Sequence, residues 1–383
     1  MESDTFETGL LPDTSEYIHL FRPHIPKNAI KMLSEVLESR WIGQGPKVEE
    51  FENKISNRFC EGLPGIAVGS GTDALHLAYL LAGVKAGDEV IVPLFTCTAT
   101  SIPLLYIGAK PIFIDIDVNT LNLDVTKIES AITKKTKAIS VVHYGGLPCD
   151  MTEINKIAKT YNLPVIEDAA HALGAKYDGR SIGSISDFTV FSFQAIKHLT
   201  TGDGGYLSIK NYELIEKAKR LRWFGIDRSA KQLGIWENDI TEIGFKYQLT
   251  DLAAAIGLAG LEEYDDTLDY RKSLFKRYQE NLSDNKNISI LNNDIYQNKF
   301  HAAWMFTIAS KNRRRIQQKL FENNIESNQV HYRNDRYSIF KDSKGIFDVM
   351  DELEDQYLVL PLHTKMSINQ VDKVCEIISK SET

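Results

Sequence analysis

Short, nearly continuous apolar runs alternate with amphipathic stretches between about residues 65 and 210. Strands that are buried on both faces read in this way, so the pattern predicts a largely parallel sheet between two layers of helices. The ligands of such sheets bind beyond the carboxyl ends of the strands. We expect the strands at residues 66–68, 89–93, 111–115, 138–143, 164–167, 188–191 and 205–209.

The order of the predicted elements indicates two units of unequal size. A helix is expected over residues 72–82, where Ala74, Leu77 and Leu81 recur on one face. A long helical pattern from Thr250 to about Leu282 leads away from the sheet, and the rest of the chain mixes strands with amphipathic helices. We therefore expect an α/β protein with a large domain, built on a mostly parallel seven-stranded sheet, and a smaller α+β C-terminal domain. The expected bounds are a flexible N-terminal tail at 1–17, a large domain with the N-terminal segment at 18–265 and a small domain at 266–383.

Composition excludes several classes of protein. The chain has 383 residues, 43% of them hydrophobic, which is enough for a large core. Its net charge is −8 with mixed signs and no long basic run, so nucleic acid is not an expected partner. No apolar run approaches the ~20 residues that span a bilayer, and the acidic N-terminus lacks the core of a signal peptide. A protein without a membrane partner is expected.

Cysteine and histidine spacing gives no sign of a disulfide framework or a metal site. The four cysteines, Cys60, Cys97, Cys149 and Cys375, are sparse and show no C-x-x-C pair. The nine histidines show no H-x-x-x-H spacing. We therefore predict no metal, and a reduced, cytoplasmic setting is the simplest interpretation.

Lys197 is the strongest candidate for chemistry. It follows a buried-looking strand that ends in Phe191-Ser192-Phe193, and it precedes a glycine-rich turn. A lysine in a loop is usually a solvated surface charge. In this position, loss of water would lower the pKa of the amine and make it nucleophilic.

An acid lies at another strand end. Asp168 follows the predicted strand 164–167, although an aspartate there could equally cap the helix that follows. Glu167 should point to the opposite face, because side chains alternate along a strand. Only one of the two carboxylates is therefore expected to face a ligand.

A small-residue helix start completes the set. Gly71-Thr72-Asp73 opens the predicted helix, and its amides together with the hydroxyl of Ser192 could hold a dianion. Each of these signals is weak alone, since many helices begin in this way. A lysine, a strand-end acid and such a helix start are together the parts that a pyridoxal phosphate site needs.

The sequence does not decide the role of three further features. His171 lies three residues past Asp168, close enough to touch the same ligand, but scattered histidines are more often structural. The segment 331–336 is polar, basic and aromatic; most such clusters are solvated surface, yet arginine matches phosphate geometry and could bind a diphosphate. The turn Gly43–Pro46 after Trp41 has the composition of an ordinary loop.

The chain resembles the DegT/DnrJ/StrS-type sugar aminotransferases, which are pyridoxal-phosphate enzymes of the aspartate aminotransferase fold, fold type I. The matching segments occur in the order that the family has and extend from roughly residue 18 to residue 376. The segment around Lys197 is highly specific, whereas the glycine turns are less so. The matches are Trp41–Pro46, Gly71–Leu75, Gly108–Asp117, Glu167–Ala172, Phe191–Gly205, Gly244–Asp251 and Leu360–His363.

The resemblance implies roles at the reacting end of the cofactor, pyridoxal 5'-phosphate. Lys197 would form the Schiff base and then move the proton between the substrate carbon and the cofactor. Asp168 would pair with the pyridine nitrogen, and His171 takes the place of a glutamine or histidine near the ring oxygen. The candidates for substrate contacts are Trp41, His331, Tyr332 and Arg333.

The resemblance also implies a phosphate site shared between subunits. Ser192 and the amides of Gly71, Thr72 and Asp73 would hold the phosphate within one chain. Lys246 lies where the family often has an asparagine that reaches the neighbouring subunit's phosphate, and lysine is a known variant. Members of the family are homodimers with shared sites, so a homodimer is expected.

Two positions depart from the family pattern. The residue after Thr96 is often a large aromatic that stacks on the cofactor ring, but here it is Cys97, for which Phe95 could compensate. Gln248 stands where many members have an arginine, so the substrate contacts of that arginine cannot be carried over.

The implied activity is transfer of an amino group from glutamate or glutamine to the C3 or C4 keto group of a nucleotide-linked deoxysugar. Such enzymes act in the synthesis of nucleotide sugars, glycosides or surface polysaccharides such as lipopolysaccharide O-antigen. One alternative is a sugar dehydratase, although those members replace the lysine with histidine. The other is a non-catalytic regulatory protein on the same fold, which the joint presence of Lys197, Asp168 and Ser192 disfavours. The sequence leaves the nucleotide base and the product's stereochemistry open.

Overall fold

The computed structural model describes residues 16–237, 239–343 and 345–381. Each strand that was expected from the apolar runs is present, and its ends lie within two residues of the expected ones. The strands are β1 (Gly65–Val68), β2 (Glu89–Pro93), β3 (Phe95–Thr96), β4 (Lys110–Ile114), β5 (Thr136–Val142), β6 (Val165–Asp168), β7 (Lys176–Tyr177), β8 (Arg180–Ser181), β9 (Phe188–Ser192), β10 (Gly205–Ile209), β11 (Ser289–Leu291), β12 (Lys299–Phe300), β13 (Phe306–Ala309), β14 (Tyr332–Arg333) and β15 (Tyr357–Leu360).

Seven of these strands form the central sheet, in the order β1-β10-β9-β6-β5-β2-β4. Strand β10 is antiparallel to both of its neighbours, and all the other pairs are parallel. The prediction of a mostly parallel seven-stranded sheet is therefore confirmed. Asp168 ends β6 and Ser192 ends β9, so the two residues lie at the same edge of the sheet.

Helices cover both faces of the sheet, as side chains along β2 show. Val90 and Val92 belong to one hydrophobic cluster and Ile91 to another, because alternate residues point to opposite faces. The helices are α1 (Ala29–Ser39), α2 (Pro46–Phe59), α3 (Gly71–Leu81), α4 (Thr98–Ile107), α5 (Ile128–Ala131), α6 (Met151–Tyr161), α7 (Ile215–Arg222), α8 (Arg228–Gln232), α9 (Asp251–Glu262), α10 (Tyr264–Leu282), α11 (Arg313–Glu322), α12 (Asp348–Leu353) and α13 (Ile368–Ser381).

The long helical pattern near residues 250–282 is two helices, α9 and α10, rather than one. Glu263 separates them with φ −105° and ψ 5°. Tyr264, at the start of α10, packs in a core of the large unit, whereas Leu274 packs in the core of the small unit. The boundary expected at residue 265 therefore falls inside a helix that belongs to both units.

The small unit contains the antiparallel sheet β11-β13-β15 with helices α11 and α13. Ile18 joins its core, and the N–H of Ile18 donates to the carbonyl of Asn324 at 2.8 Å. The sequence placed residue 18 in the large domain, but a backbone pairing that the local sequence does not encode holds it against the small one. Of the expected N-terminal tail, residues 1–15 lie outside the described residues.

Candidate functional site

Lys197 lies in the turn after β9, at the carboxyl edge of the sheet. Its Nζ stands 3.6 Å from the centre of the Trp304 ring. Trp304 is buried and donates from Nε1 to the carbonyl of Ile196 at 3.2 Å, which fixes the ring against the lysine segment. The surrounding protein removes water from the amine and lowers the pKa of Lys197 to about 8. A larger fraction of this amine is therefore neutral and nucleophilic than in a solvated lysine.

Asp168 presents a buried carboxylate to the same edge, with only 4% of the residue exposed. Its Oδ2 accepts a hydrogen bond from Thr100 Oγ1 at 2.7 Å, and its Oδ1 accepts from the N–H of Ala170 at 3.1 Å. Burial raises the pKa of Asp168, and these two bonds oppose that shift. Both donors are uncharged, so the carboxylate suits a cationic partner such as the protonated ring nitrogen of pyridoxal phosphate.

Glu167 faces the opposite side of the sheet, as strand alternation predicted. One carboxylate oxygen is 2.9 Å from His143 Nε2, and the other accepts from the N–H of Ser186 and the hydroxyl of Thr189. Of the two adjacent acids, only Asp168 is available to the site.

Thr100, on α4, is a site residue that the sequence did not indicate. It is fully buried, and besides Asp168 its Oγ1 lies 3.1 Å from Thr96 Oγ1. Its carbonyl accepts from the hydroxyl of Tyr79 at 2.8 Å. Thr100 is one of several hydroxyl residues in its segment, so only the fold distinguishes it.

We expect Thr100→Val to lower activity about 10-fold and to weaken cofactor binding, because a hydrogen bond to a charged acceptor is worth about 1.5–3 kcal/mol. Without that donor the pKa of Asp168 rises further and less of the carboxylate is ionised. Steady-state rates and cofactor titration by absorbance measure both effects. Ser101→Ala is the matched control, since Ser101 is a buried neighbour whose Oγ has no hydrogen-bond partner among the described residues. Equal behaviour of the two variants would show that Asp168 does not depend on Thr100.

The N-terminus of α3 meets the end of β9 and forms a cradle for a dianion. A Cβ on Gly71 would lie 3.0 Å from the Ser192 Cβ, so glycine allows this approach without a shift of the neighbour. The N–H of Asp73 already donates to Ser70 Oγ at 3.0 Å. The amides of Gly71 and Thr72, which have no acceptor inside the helix, remain available with the Ser192 hydroxyl. Since the amide of Asp73 is engaged by Ser70 in this structure, its contact with the phosphate stays a prediction.

His171 reaches the site, which the sequence had left open. Its ring stacks on Trp304 with centroids 3.9 Å apart, and its Nε2 lies 3.3 Å from Nε2 of His331. Burial lowers the pKa of His171 well below its usual range and the pKa of His331 to about 3. Both imidazoles are therefore neutral, and His331 is brought to the site with His171.

Tyr332 and Arg333, which follow His331 in the cluster at 331–336, contact other side chains of the protein. Tyr332 packs beneath the guanidinium of Arg336, 5.0 Å from its ring centre. Carboxylates raise the pKa of Arg333 and already neutralise its charge, so the structure gives no support to Arg333 as a diphosphate ligand. The carboxylates that contact Arg333 are those of Asp335, at 2.7 and 2.9 Å, and of Asp351 and Glu354.

Trp41 lines a cavity whose described lining residues do not include Lys197. It is half-exposed and lines, with Trp223 and Arg228, a polar cavity of about 600 Å³. The turn that follows it is fixed by Asp251, whose carboxylate accepts from the N–H of Gly45 at 2.7 Å. Within the described residues no hydrogen bond or ring contact joins Trp41 to Lys197, and its substrate contact stays a prediction.

The residue that replaces the stacking aromatic, Cys97, is partly exposed and close enough to Lys197 to influence the amine's pKa. Phe95 is buried against Tyr144 and Tyr357, each with centroids 5.0 Å away. That Phe95 compensates for the missing ring stays a prediction. Trp304, which no sequence signal indicated, is the aromatic ring that contacts Lys197.

Lys246 is exposed in this chain. Its Nζ donates to Gln248 Oε1 at 2.5 Å and lies 5.5 Å from the centre of the Phe224 ring. The amide of Gln248, which stands in place of the family's arginine, therefore holds the ammonium group at the surface.

Comparison with known proteins gives concordant matches. The model of the DegT/DnrJ/EryC1/StrS aminotransferase family matches residues 23–379. GDP-perosamine synthase of Escherichia coli O157:H7 is 34% identical over 95% of this chain and 98% of its own. The crystal structure of AtS13 from Actinomadura melliaura is 33% identical and superimposes with a TM-score of 0.91 over 96% of this chain and 100% of that one. The PLP form of a sugar aminotransferase, Spr1654 from Streptococcus pneumoniae, is 30% identical with a TM-score of 0.86, over 95% and 98% of the two chains.

Proposed function

Since the chain belongs to the DegT/DnrJ/EryC1/StrS aminotransferase family, we propose that it transfers an amino group from glutamate to the keto group of a nucleotide-linked deoxysugar. The observation that carries the proposal is the pairing, at one sheet edge, of an amine whose pKa is lowered to about 8 with a buried carboxylate. Pyridoxal phosphate, when bound, supplies an electron sink for the substrate carbon. Sugar aminotransferase activity is thus the function that this geometry supports best.

Each residue of the site has a distinct task in this proposal. Lys197 binds the cofactor through its amine and moves a proton at the substrate carbon. Asp168 would pair with the ring nitrogen and favour its protonated form, and Thr100 orients Asp168 through the hydrogen bond to its Oδ2. Ser192, with the free amides at the start of α3, binds the phosphate.

The substrate class is inferred from relatives and from the presence of Lys197. The GDP-perosamine synthase to which the chain is similar bears the name of an amino-sugar nucleotide. A dehydratase on this fold would carry histidine at position 197. A purely regulatory protein would not need a buried carboxylate together with an amine of lowered pKa. We propose a role in nucleotide-sugar synthesis for surface polysaccharides or glycosides.

A spectroscopic experiment tests this function. The purified protein should be yellow, and its absorbance near the aldimine band should bleach when glutamate is added. The bleached form should recover the band with one of the UDP-, dTDP- or GDP-linked ketosugars, and mass spectrometry should then show an amino sugar. A colourless protein, or a band that glutamate leaves unchanged, would contradict the proposal.

The location and assembly are also part of the proposal. Among the described residues no helix combines the length and apolar character needed to cross a membrane, and the four cysteines are free, which supports a cytoplasmic enzyme. We propose a homodimer in which the exposed Lys246 binds the phosphate of the partner's site, because cyclic dimers are the commonest assembly.

Mixed dimers test the shared site. In a heterodimer of a Lys197→Ala chain and a Lys246→Ala chain, one site keeps both lysines and the other loses both. Activity should therefore recover to about half of the wild-type value per dimer. Lys246→Ala alone must first be shown to weaken cofactor binding. No recovery in verified heterodimers would mean that Lys246 serves its own subunit or no phosphate at all.

A further inference from the structure

The two residues that flank Lys197 in the chain both bind the turn before β13, which carries Trp304. His198 donates from Nε2 to the carbonyl of Ala302 at 2.7 Å. The carbonyl of Ile196 accepts from Nε1 of Trp304 at 3.2 Å. The lysine segment and this turn are therefore joined on both sides of Lys197. A group that holds the turn also sets the distance between the indole ring and the amine.

Arg271, on α10, holds the same turn through its backbone. Only 4% of Arg271 is exposed. Its Nε donates to the carbonyl of Ala303 at 3.1 Å. Its Nη2 donates to the carbonyls of Trp304, at 2.8 Å, and Leu362, at 2.9 Å. Because a guanidinium group is planar and its donors form a rigid fork, it sets the positions of two consecutive carbonyls together.

The charge of Arg271 is buried without a carboxylate partner. Within the residues that the structure describes, all its hydrogen bonds go to backbone carbonyls. Burial lowers the pKa of Arg271 to about 10, so the group remains charged at neutral pH. A buried charge without a counter-ion is costly for stability, and an apolar side chain of similar size would avoid that cost. A guanidinium at this place therefore points to a need for fixed geometry in the turn.

The backbone of Ala303, directly before Trp304, is strained. Its φ is +52°, in the left-handed region that residues other than glycine seldom adopt. Its N–H donates to Nδ1 of His301 at 2.7 Å, and Arg271 binds its carbonyl. Such strain persists only where surrounding contacts enforce it. The contacts that hold Ala303 thus also set the direction in which the next side chain leaves the backbone.

We propose that Arg271 is a positioning residue, which holds the indole ring of Trp304 against the amine of Lys197. The ring centre lies 3.6 Å from Nζ, and the ring also stacks on His171 with centroids 3.9 Å apart. Displacement of the indole would admit water beside the amine and favour its protonated form. The catalytic importance of this effect rests on the proposed function, whereas the position of the ring does not.

The wild-type protein offers a first test, which needs neither cofactor nor substrate. Trp304 is 1% exposed and its indole N–H is hydrogen-bonded, whereas Trp41 and Trp236 are 52% and 74% exposed. In ¹⁵N spectra of tryptophan-labelled protein, the indole N–H of Trp304 should exchange with D₂O at least about 10-fold more slowly than those two. Single Trp→Phe variants assign the signals. Equally fast exchange at Trp304 would show that the ring is not held, and the proposal would fail.

Arg271→Lys keeps the charge but replaces the rigid fork by a flexible ammonium group. Exchange of the Trp304 indole N–H should accelerate at least about 10-fold. The pKa of Lys197, about 8 in the wild type, should rise by about one unit. Acylation of the cofactor-free protein at a series of pH values, followed by peptide mass spectrometry, measures this pKa because only the neutral amine reacts. Wild-type values of both quantities in folded Arg271→Lys would overturn the proposal.

Arg277→Lys is the matched control, since it makes the same change on the same helix. Arg277 Nε lies 2.7 Å from an oxygen of Asp372, and both side chains are partly exposed. The control should leave indole exchange and the pKa of Lys197 unchanged. Equal effects of the two variants would show a general disturbance of α10 and would also overturn the proposal. If Arg271→Lys does not fold, Arg271→Gln retains one amide donor and should show the same acceleration of indole exchange.

A double-mutant cycle shows whether Arg271 acts through the ring. Trp304→Leu should raise the pKa of Lys197 by about as much as Arg271→Lys does, because both admit water to the amine. Adding Arg271→Lys to Trp304→Leu should then change that pKa little, since no indole remains to be positioned. An unchanged pKa in Trp304→Leu, or fully additive shifts, would overturn the proposal. A wild-type protein without transaminase activity would instead overturn the proposed function and leave these measurements unaffected.

Discussion

Lys197→Ala should abolish transamination, with a loss of about 10⁴-fold or more, the upper range for a group that transfers a proton. The amine both holds the cofactor and moves the proton, so one substitution removes two functions. Borohydride reduction of the wild-type protein followed by peptide mapping should place the pyridoxyl adduct on Lys197. The fold should survive, because the contact of Nζ in the structure is with the face of the Trp304 ring.

Lys272→Ala provides a matched control for this variant. Lys272 Nζ also lies 3.6 Å from the centre of an aromatic ring, that of Phe300, and it forms an ion pair with Asp294 at 3.8 Å. Its replacement removes a comparable cation–π contact and should leave transamination intact. An adduct on a different lysine, or substantial activity of Lys197→Ala, would refute the assignment.

Asp168→Asn should lower kcat about 10- to 1000-fold while cofactor still binds, because a carboxylate within 4–6 Å shifts the pKa of a cationic group by about 1–3 units. An amide cannot hold the ring nitrogen protonated, so the electron sink weakens. Rapid-mixing absorbance measurements of the glutamate half-reaction report the chemical step directly. The bound cofactor should still be detected by its spectrum, since Lys197 and the phosphate cradle are unchanged.

The adjacent acid offers the control. Glu167→Gln makes the same chemical change one residue earlier, where the side chain bonds His143, Ser186 and Thr189 on the opposite face of the sheet. This variant should lose stability, because it disturbs a buried network, but the rate at which bound glutamate reacts should stay close to wild type. A wild-type rate for Asp168→Asn, or an equal defect in both variants, would remove Asp168 from its proposed role.

The chemistry of the site depends on the protonation of two buried groups, Lys197 and Asp168. Exclusion of water lowers the pKa of Lys197 and raises the pKa of Asp168, so burial disfavours the charged form of each group. A cationic ring nitrogen beside Asp168 would restore its charge. The site therefore fits an ionised cofactor better than it fits bulk water.

Local sequence patterns determined the large architectural features. Short apolar runs placed all seven strands of the central sheet within two residues of their ends, because burial on both faces leaves a strong signal in each strand. The positions of Lys197, Asp168 and Ser192 at strand ends followed from the same pattern. Alternation along β6 further predicted that Glu167 and Asp168 face opposite sides.

Contacts between distant segments were decided only by the tertiary structure. Thr100 beneath Asp168, Trp304 against Lys197 and His331 beside His171 join parts of the chain that have no local relation in sequence. The ion pairs of Arg333 with Asp351 and Glu354 could not be predicted from the sequence for the same reason. Periodicity reports which face of an element is buried, but the partner across that face depends on how the elements pack, and packing is a property of the whole fold.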